Sequence, residues 1–333
     1  MPEPLTVQQE RELRFRAAEA VKRAVQYRHA GSIRAQGIEV LQRRLPEAAP
    51  AWIRLALDDP EPGVQFAAIL ALGKLEDEHA RRHIVKFVDD PDASLRVAAY
   101  FALHRLGDTS YTALLPELLL EHDEPAVRRN AAFVLGLLGE PGAVKLLAKA
   151  MDDEDESVGR QALESMAKLG NQEAINHLTY WANSGEGAIR VRSLNVLAGL
   201  VRPSLKGTFL YKLQQGEYLE VRLVAARGLG LLGDNVGFKL ALRSLDFDRP
   251  QTDVRDDPPR DQIMRVRQLA ARALGAIGDR RALRPLRDQL NGSDDPRVQL
   301  AAADAILEIV EPDTGGGSPW KQEQSSSGEG AGP

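Results

Sequence analysis

The chain has 333 residues, 43 % hydrophobic but only 5 % aromatic, with no cysteine and a formal net charge of −5. The missing cysteines exclude disulfides, thiolate metal sites and cysteine nucleophiles, and the mild acidity argues against a general nucleic-acid binder. A core built from alanine and leucine favours packed helices over β-sandwiches. No stretch of eighteen apolar residues occurs and no apolar run of signal-peptide length opens the chain, so a cytoplasmic protein without a membrane segment is expected.

Residues 1–30 open with one long helix from about Thr6 to His29, with Thr6 and Gln9 spaced as a capping box. Its arginines alternate with Glu10, Glu12 and Glu19, which suits a solvated cap over the first repeat better than a helix lying on a membrane.

From Ile33 one phrase recurs: an apolar residue, usually arginine, small residues, then Leu-Gly or Leu-Ala. It starts at Ile33, Val64, Leu95, Val127, Val158, Ile189, Val221, Val266 and Val298, at spacings of 31, 31, 32, 31, 31, 32, 45 and 32 residues. The position eight residues on is apolar in every copy, running Leu41, Leu72, Leu103, Leu135, Met166, Leu197, Leu229, Leu274 and Ile306. With the nine anchors this makes eighteen apolar positions out of eighteen, for which the odds by chance are on the order of one in a few million. The fourth position on is always small, from Gly37 and Ala68 through Ser193 to Ala302. Anchor, +4, +8 and +11 share one helical face, so each copy reads as an amphipathic helix that a neighbour approaches closely.

A shorter apolar helix lies between successive copies, as in YTALLPELLL and GAVKLLAKAM, bounded by Gly-Asp, Asp-Asp or proline turns. Helix–turn–helix units just over thirty residues long, repeated about nine times, predict an all-α solenoid over residues 31–310. One long spacing contains DFDRPQTDVRDDPPRDQ, a polar loop expected at about 246–262 inside one hairpin. Residues 311–333 have the Gly/Ser composition of a disordered tail, with Trp320 as its one residue of binding potential.

The pattern Asp-x-x-x-x-Val-Arg-x-x-Ala-x-x-x-Leu-Gly resembles HEAT repeats, and its short regular form is similar to the HEAT-like repeats of phycobilisome lyases. The resemblance covers residues 30–310. It implies that the first helix of each hairpin lines a convex side and the second a concave side. It further implies that Arg34, Arg96, Arg128, Arg190, Arg222 and Arg267 pair with aspartates of adjacent repeats, with Gln65, Gly159 and Gln299 breaking the ladder.

No catalytic group, metal site or cofactor site emerges. His79 and His83 lie one turn apart without a third ligand, and the order His-Glu-x-x-His is absent. There is no His-Glu dipeptide of the kind that the HEAT-type deoxyhypusine hydroxylases use. GLGLLG at 228–233 matches a dinucleotide fingerprint in letters only, since it ends a repeat helix with no strand before it.

On a concave face the +6 positions should point inward. Leu70, Phe101 and Phe133 then form an apolar strip, and Arg129, Arg160, Arg192, Arg227 and Arg272 a basic track interrupted by Glu164 and Asp304. The function expected is a non-enzymatic scaffold or adaptor that grips a peptide or helix of a partner protein. A bilin-lyase-like chromophore chaperone, implied only by the repeat type, and nucleic-acid binding through the arginine track are the alternatives.

Overall fold

The computed structural model describes residues 5–250 and 258–311, so the middle of the predicted 246–262 loop and the tail from 312 lie outside the described residues. Among the described residues eighteen α-helices form nine hairpins. The first helices are α1 (Val7–Val25), α3 (Ala49–Leu55), α5 (Arg81–Ile84), α7 (Leu115–Leu120), α9 (Ala143–Lys149), α11 (Gln172–Ser184), α13 (Lys206–Gln215), α15 (Phe238–Ser244) and α17 (Leu283–Gly292). The second helices are α2 (Gly31–Arg44), α4 (Pro62–Lys74), α6 (Ala93–Arg105), α8 (Pro125–Leu138), α10 (Glu156–Lys168), α12 (Gly187–Gly199), α14 (Leu219–Leu231), α16 (Pro259–Ile277) and α18 (Pro296–Val310). This is the α-solenoid that the repeat predicts. The end of the expected loop differs, because Pro259 at the first turn opens α16 instead.

The periodic positions make the core. Every +4 and +8 residue is buried, and so is every anchor except Ile189, which is half-buried. Successive second helices pack side by side, α10 and α12 excepted, and +9 glycines set how closely. A Cβ on Gly73 would come within 2.6 Å of the Ala102 Cα in α6, and one on Gly230 within 2.7 Å of the Ile277 nitrogen in α16. Backbone meets backbone there, so no side chain fits. The fingerprint-like GLGLLG is thus a packing feature of α14 and its C-terminal turn.

The anchor-plus-one slot has a role the aspartate pairing alone does not capture. Arg34 donates to the Tyr27 carbonyl at 3.0 Å, Arg96 to Asp90 at 2.8 Å and Arg128 to His122 at 2.7 Å. Arg190 donates to Gly185 at 2.5 Å, and Arg222 and Arg267 to Leu213 and Phe247 at 3.0 Å each. These carbonyls close the preceding first helix or its turn, where helix geometry leaves acceptors unmet. Gln65 and Gln299 do the same, to Leu57 at 3.1 Å and Ser293 at 2.7 Å, so glutamine does not break the series. Gly159 fits because a Cβ would meet the Met151 carbonyl at 2.6 Å. Among the described residues, pairing of this slot to a neighbouring repeat is confined to Arg34 with Asp59 and Glu61, Arg128 with Asp153 and Glu154, and Arg190 with Glu217.

The ends of the array meet. Helix α1 carries the predicted capping box, with Thr6 and Gln9 bonded both ways, and packs on α2. It also packs on α18, which reaches α2 as well. Among the described residues, ion pairs cross this seam at Arg14–Glu311 at 2.6 Å, Arg280–Glu10 at 2.5 Å, Arg43–Asp304 at 2.9 Å, Arg44–Asp304 at 2.8 Å and Arg44–Glu308 at 2.8 Å. The solenoid is therefore a closed ring. At one other junction the stacking changes: α12 packs on α11 and α14 and little on α10, to which the Arg192–Glu164 pair joins it.

Candidate functional site

The second helices form the inner wall, and their C-terminal halves bring charges from distant repeats together. Lys74 on α4 lies near Glu39 and Arg43 of α2 and near Lys168 of α10. Arg227 on α14 lies near Arg43, Arg272 of α16, and Asp304 and Glu308 of α18. The tip of Lys74 is open to water although protein surrounds it at longer range, as expected of a residue facing a ring interior.

The electrostatics follow from that setting. Burial lowers the pKa of Lys74, with Lys168 and Arg43 adding to the effect and Glu39 opposing it. Burial lowers Lys168 too, against Glu164, and Arg192 adds to the drop. Arg227 is lowered by burial, with Arg272 and Arg43 in the same sense and Glu308 opposed. Its guanidinium remains charged at neutral pH. Burial would raise Asp304, but Arg43 and Arg44 outweigh it and hold the carboxyl below its ordinary range. Glu308 is raised by burial despite Arg44.

Several cations on this wall are uncommitted. Asp304 occupies Arg43, and Glu164 occupies Arg192. Among the described residues Arg227 donates to the Asn195 amide oxygen, at 3.2 Å, and to no carboxylate. Lys168 stands 5.4 Å from the centre of the Phe133 ring. Among the described residues no carboxylate pairs with Lys74, Lys168 or Arg272 at ion-pair distance.

The predicted apolar strip is not an open surface. Phe101 is 1 % exposed and Leu70 6 %, because both are taken into the contacts between neighbouring second helices, Phe101 against Gly73. Only Phe133 remains partly exposed. The predicted arginine track divides. Arg192, Arg227 and Arg272 belong to the inner cluster. Arg160 is bound at 2.7 Å to Glu156 of its own helix, and half-buried Arg129 is not among the charges acting on the cluster. Sequence reasoning missed Arg43, Lys74 and Lys168. Their signal was a basic residue in the last turn of a second helix, which favourable interaction with the helix dipole makes commonplace.

His79 and His83 are both exposed, and no group of three possible metal ligands stands together among the described residues. No described helix is long and apolar enough to cross a membrane.

The model of the HEAT repeats family matches residues 9–104, 112–198 and 260–314. A HEAT repeat-containing taxis protein of Halobacterium salinarum is 32 % identical over 139 residues, 35 % of this chain and 34 % of that protein. The chain thus matches about a third of that relative's length. Among solved structures, the CpcE–CpcF complex of phycocyanin lyase from Nostoc sp. PCC7120 is 19 % identical with a TM-score of 0.42, covering 75 % of this chain and 93 % of that one. Human deoxyhypusine hydroxylase is 20 % identical with a TM-score of 0.38, covering 81 % and 98 %. With the family model spanning most of its length, the chain belongs to the HEAT-repeat family.

Proposed function

We propose that this protein is a non-catalytic cytoplasmic interaction scaffold whose inner face holds a segment of a partner protein. The observation that carries this reading is the set of cations on the inner wall, contributed by four repeats and, among the described residues, left without carboxylate partners at ion-pair distance. Cationic charge gathered on one wall without partners repels itself, even where Lys74 and Arg272 keep access to water. Its persistence at several positions on one face is what a surface completed by a binding partner requires.

Site-resolved crosslinking tests this. A photoreactive residue placed at Lys74 or Arg272 should yield discrete protein adducts in cells, whereas one at outward Tyr180 or Tyr211 should not. Adducts confined to the outer positions would contradict the reading.

A further inference from the structure

The inner wall also specifies what kind of segment it takes. The second helices contribute Arg43, Lys74, Lys168, Arg192, Arg227 and Arg272 against Glu39, Glu164, Asp304 and Glu308, a local excess of cations in a chain whose net charge is −5. After the internal pairs of Arg43 and Arg192 are set aside, Lys74, Lys168, Arg227 and Arg272 remain. They stand on four different helices, α4, α10, α14 and α16. Phe133 supplies a partly exposed aromatic face beside them.

We propose that the ring interior is a binding site for an acidic peptide segment. Its carboxylates are bound by Lys74, Lys168, Arg227 and Arg272, and an apolar side chain of the segment lies against Phe133. This rests on the scaffold reading above and narrows it to one ligand chemistry.

Three features select a peptide over other anions. The cations are spread over four helices, which suits several spaced carboxylates better than one compact phosphate. Glu39, Glu164, Asp304 and Glu308 lie among them, which breaks the continuous positive track that a nucleic-acid backbone requires. Lys74 of α4 and Lys168 of α10 act on one another across the interior, which suits a narrow extended segment and not a folded domain.

The test uses the full chain and fluorescence anisotropy. The probe is a labelled ten-residue glutamate peptide with one central phenylalanine. The comparison arms are a lysine peptide of equal length, single-stranded oligothymidylate, and inorganic pyrophosphate as competitor. The acidic peptide should bind with an affinity that falls as salt rises. Lys74→Glu with Arg272→Glu should weaken it at least about tenfold. Both residues are exposed and unpaired, so the variant should keep the wild-type helical signal and melting temperature. Tyr180→Ala with Tyr211→Ala on the outer face should bind as wild type.

The proposal is overturned by no binding of the acidic peptide at low salt, by binding indifferent to the charge reversal, or by tighter binding of the oligonucleotide. Full competition by pyrophosphate at equimolar peptide would assign the site to a small anion and overturn it as well. If the peptide fails while crosslinks from position 74 persist, the acidic-segment inference falls and the scaffold reading stands.

Discussion

At the residue scale, Arg128 illustrates what the repeat asks of one side chain. It is 5 % exposed, donates to the His122 carbonyl, and forms a two-point bond to Asp153 in the next turn, at 2.8 Å from both Nε and Nη2. Arg128→Ala strands a buried carboxylate and should cost about 3 kcal/mol in denaturant unfolding. Arg128→Gln should cost about half of that, because Gln65 and Gln299 make the carbonyl bond in their own repeats. Equal losses from the two substitutions would refute the carbonyl role. The pairing aspartates also set an acid limit. Arg128 holds Asp153 below its ordinary range; for Asp59 burial acts upward, but Arg34 and the Glu61 amide outweigh it. The unfolded value is about 3.9. Folded values below it mean that the stabilisation is complete above pH 4 and is lost as pH falls through the folded values. The wild type should therefore lose more stability than Arg128→Gln between pH 4 and pH 2. The arginines were legible in the sequence, but their carbonyl partners were not. An acceptor in the backbone leaves no mark in the residue types, so Gln65 and Gln299 read as breaks.

At the element scale, the second helices end alike. The residue twelve after the anchor has positive φ in seven copies: Glu76, Gly107, Gly139, Gly170, Val201, Gly233 and Gly278. Glycine adopts this left-handed turn without steric cost, whereas a β-branched side chain does not. Val201, at φ 50°, is half-buried and strained. Val201→Gly should raise stability by about 1 kcal/mol, and a loss of that size in thermal unfolding would show that its side-chain contacts outweigh the strain. Gly73 should respond in the opposite sense. Alanine there gains helix propensity of about 1 kcal/mol, but its Cβ overlaps the α6 backbone, and overpacking of this kind costs about 1–3 kcal/mol. Net destabilisation is expected from the same melts. The helices were readable because their apolar period has only one geometric solution. Tertiary contact decided the strip at Leu70 and Phe101: the helical wheel places +6 opposite the stripe, but in α4 and α6 the neighbouring second helices cover that position, whereas Glu39, Asn195 and Arg272 at +6 stay exposed.

At the scale of the whole molecule, closure changes what an array of hairpins presents. In an open solenoid the C-terminal halves of α2, α4, α10, α14 and α16 would lie along a line. In the ring Arg43, Lys74, Lys168, Arg227 and Arg272 act on one another. That convergence could not be read from the sequence, because a repeat period fixes each step and not the sum of nine. The seam depends on Asp304, which bonds Arg43 and Arg44 together. Asp304→Ala leaves two guanidiniums without this acceptor and should loosen the seam, seen as faster hydrogen exchange in α1 and α18 with the middle repeats unchanged. Uniform exchange across all nine hairpins would argue against a distinct seam.

The most direct test of closure is the distance between its two sides. The chain has no cysteine, so Arg14→Cys with Glu311→Cys offers two clean labelling sites, at the cost of one exposed ion pair worth little. Pulsed electron spin resonance should give a single short distance, close to the length of the two labels. An open array of nine hairpins places its ends about 80 Å apart, and a distance distribution centred there would contradict the ring and the shared inner face with it.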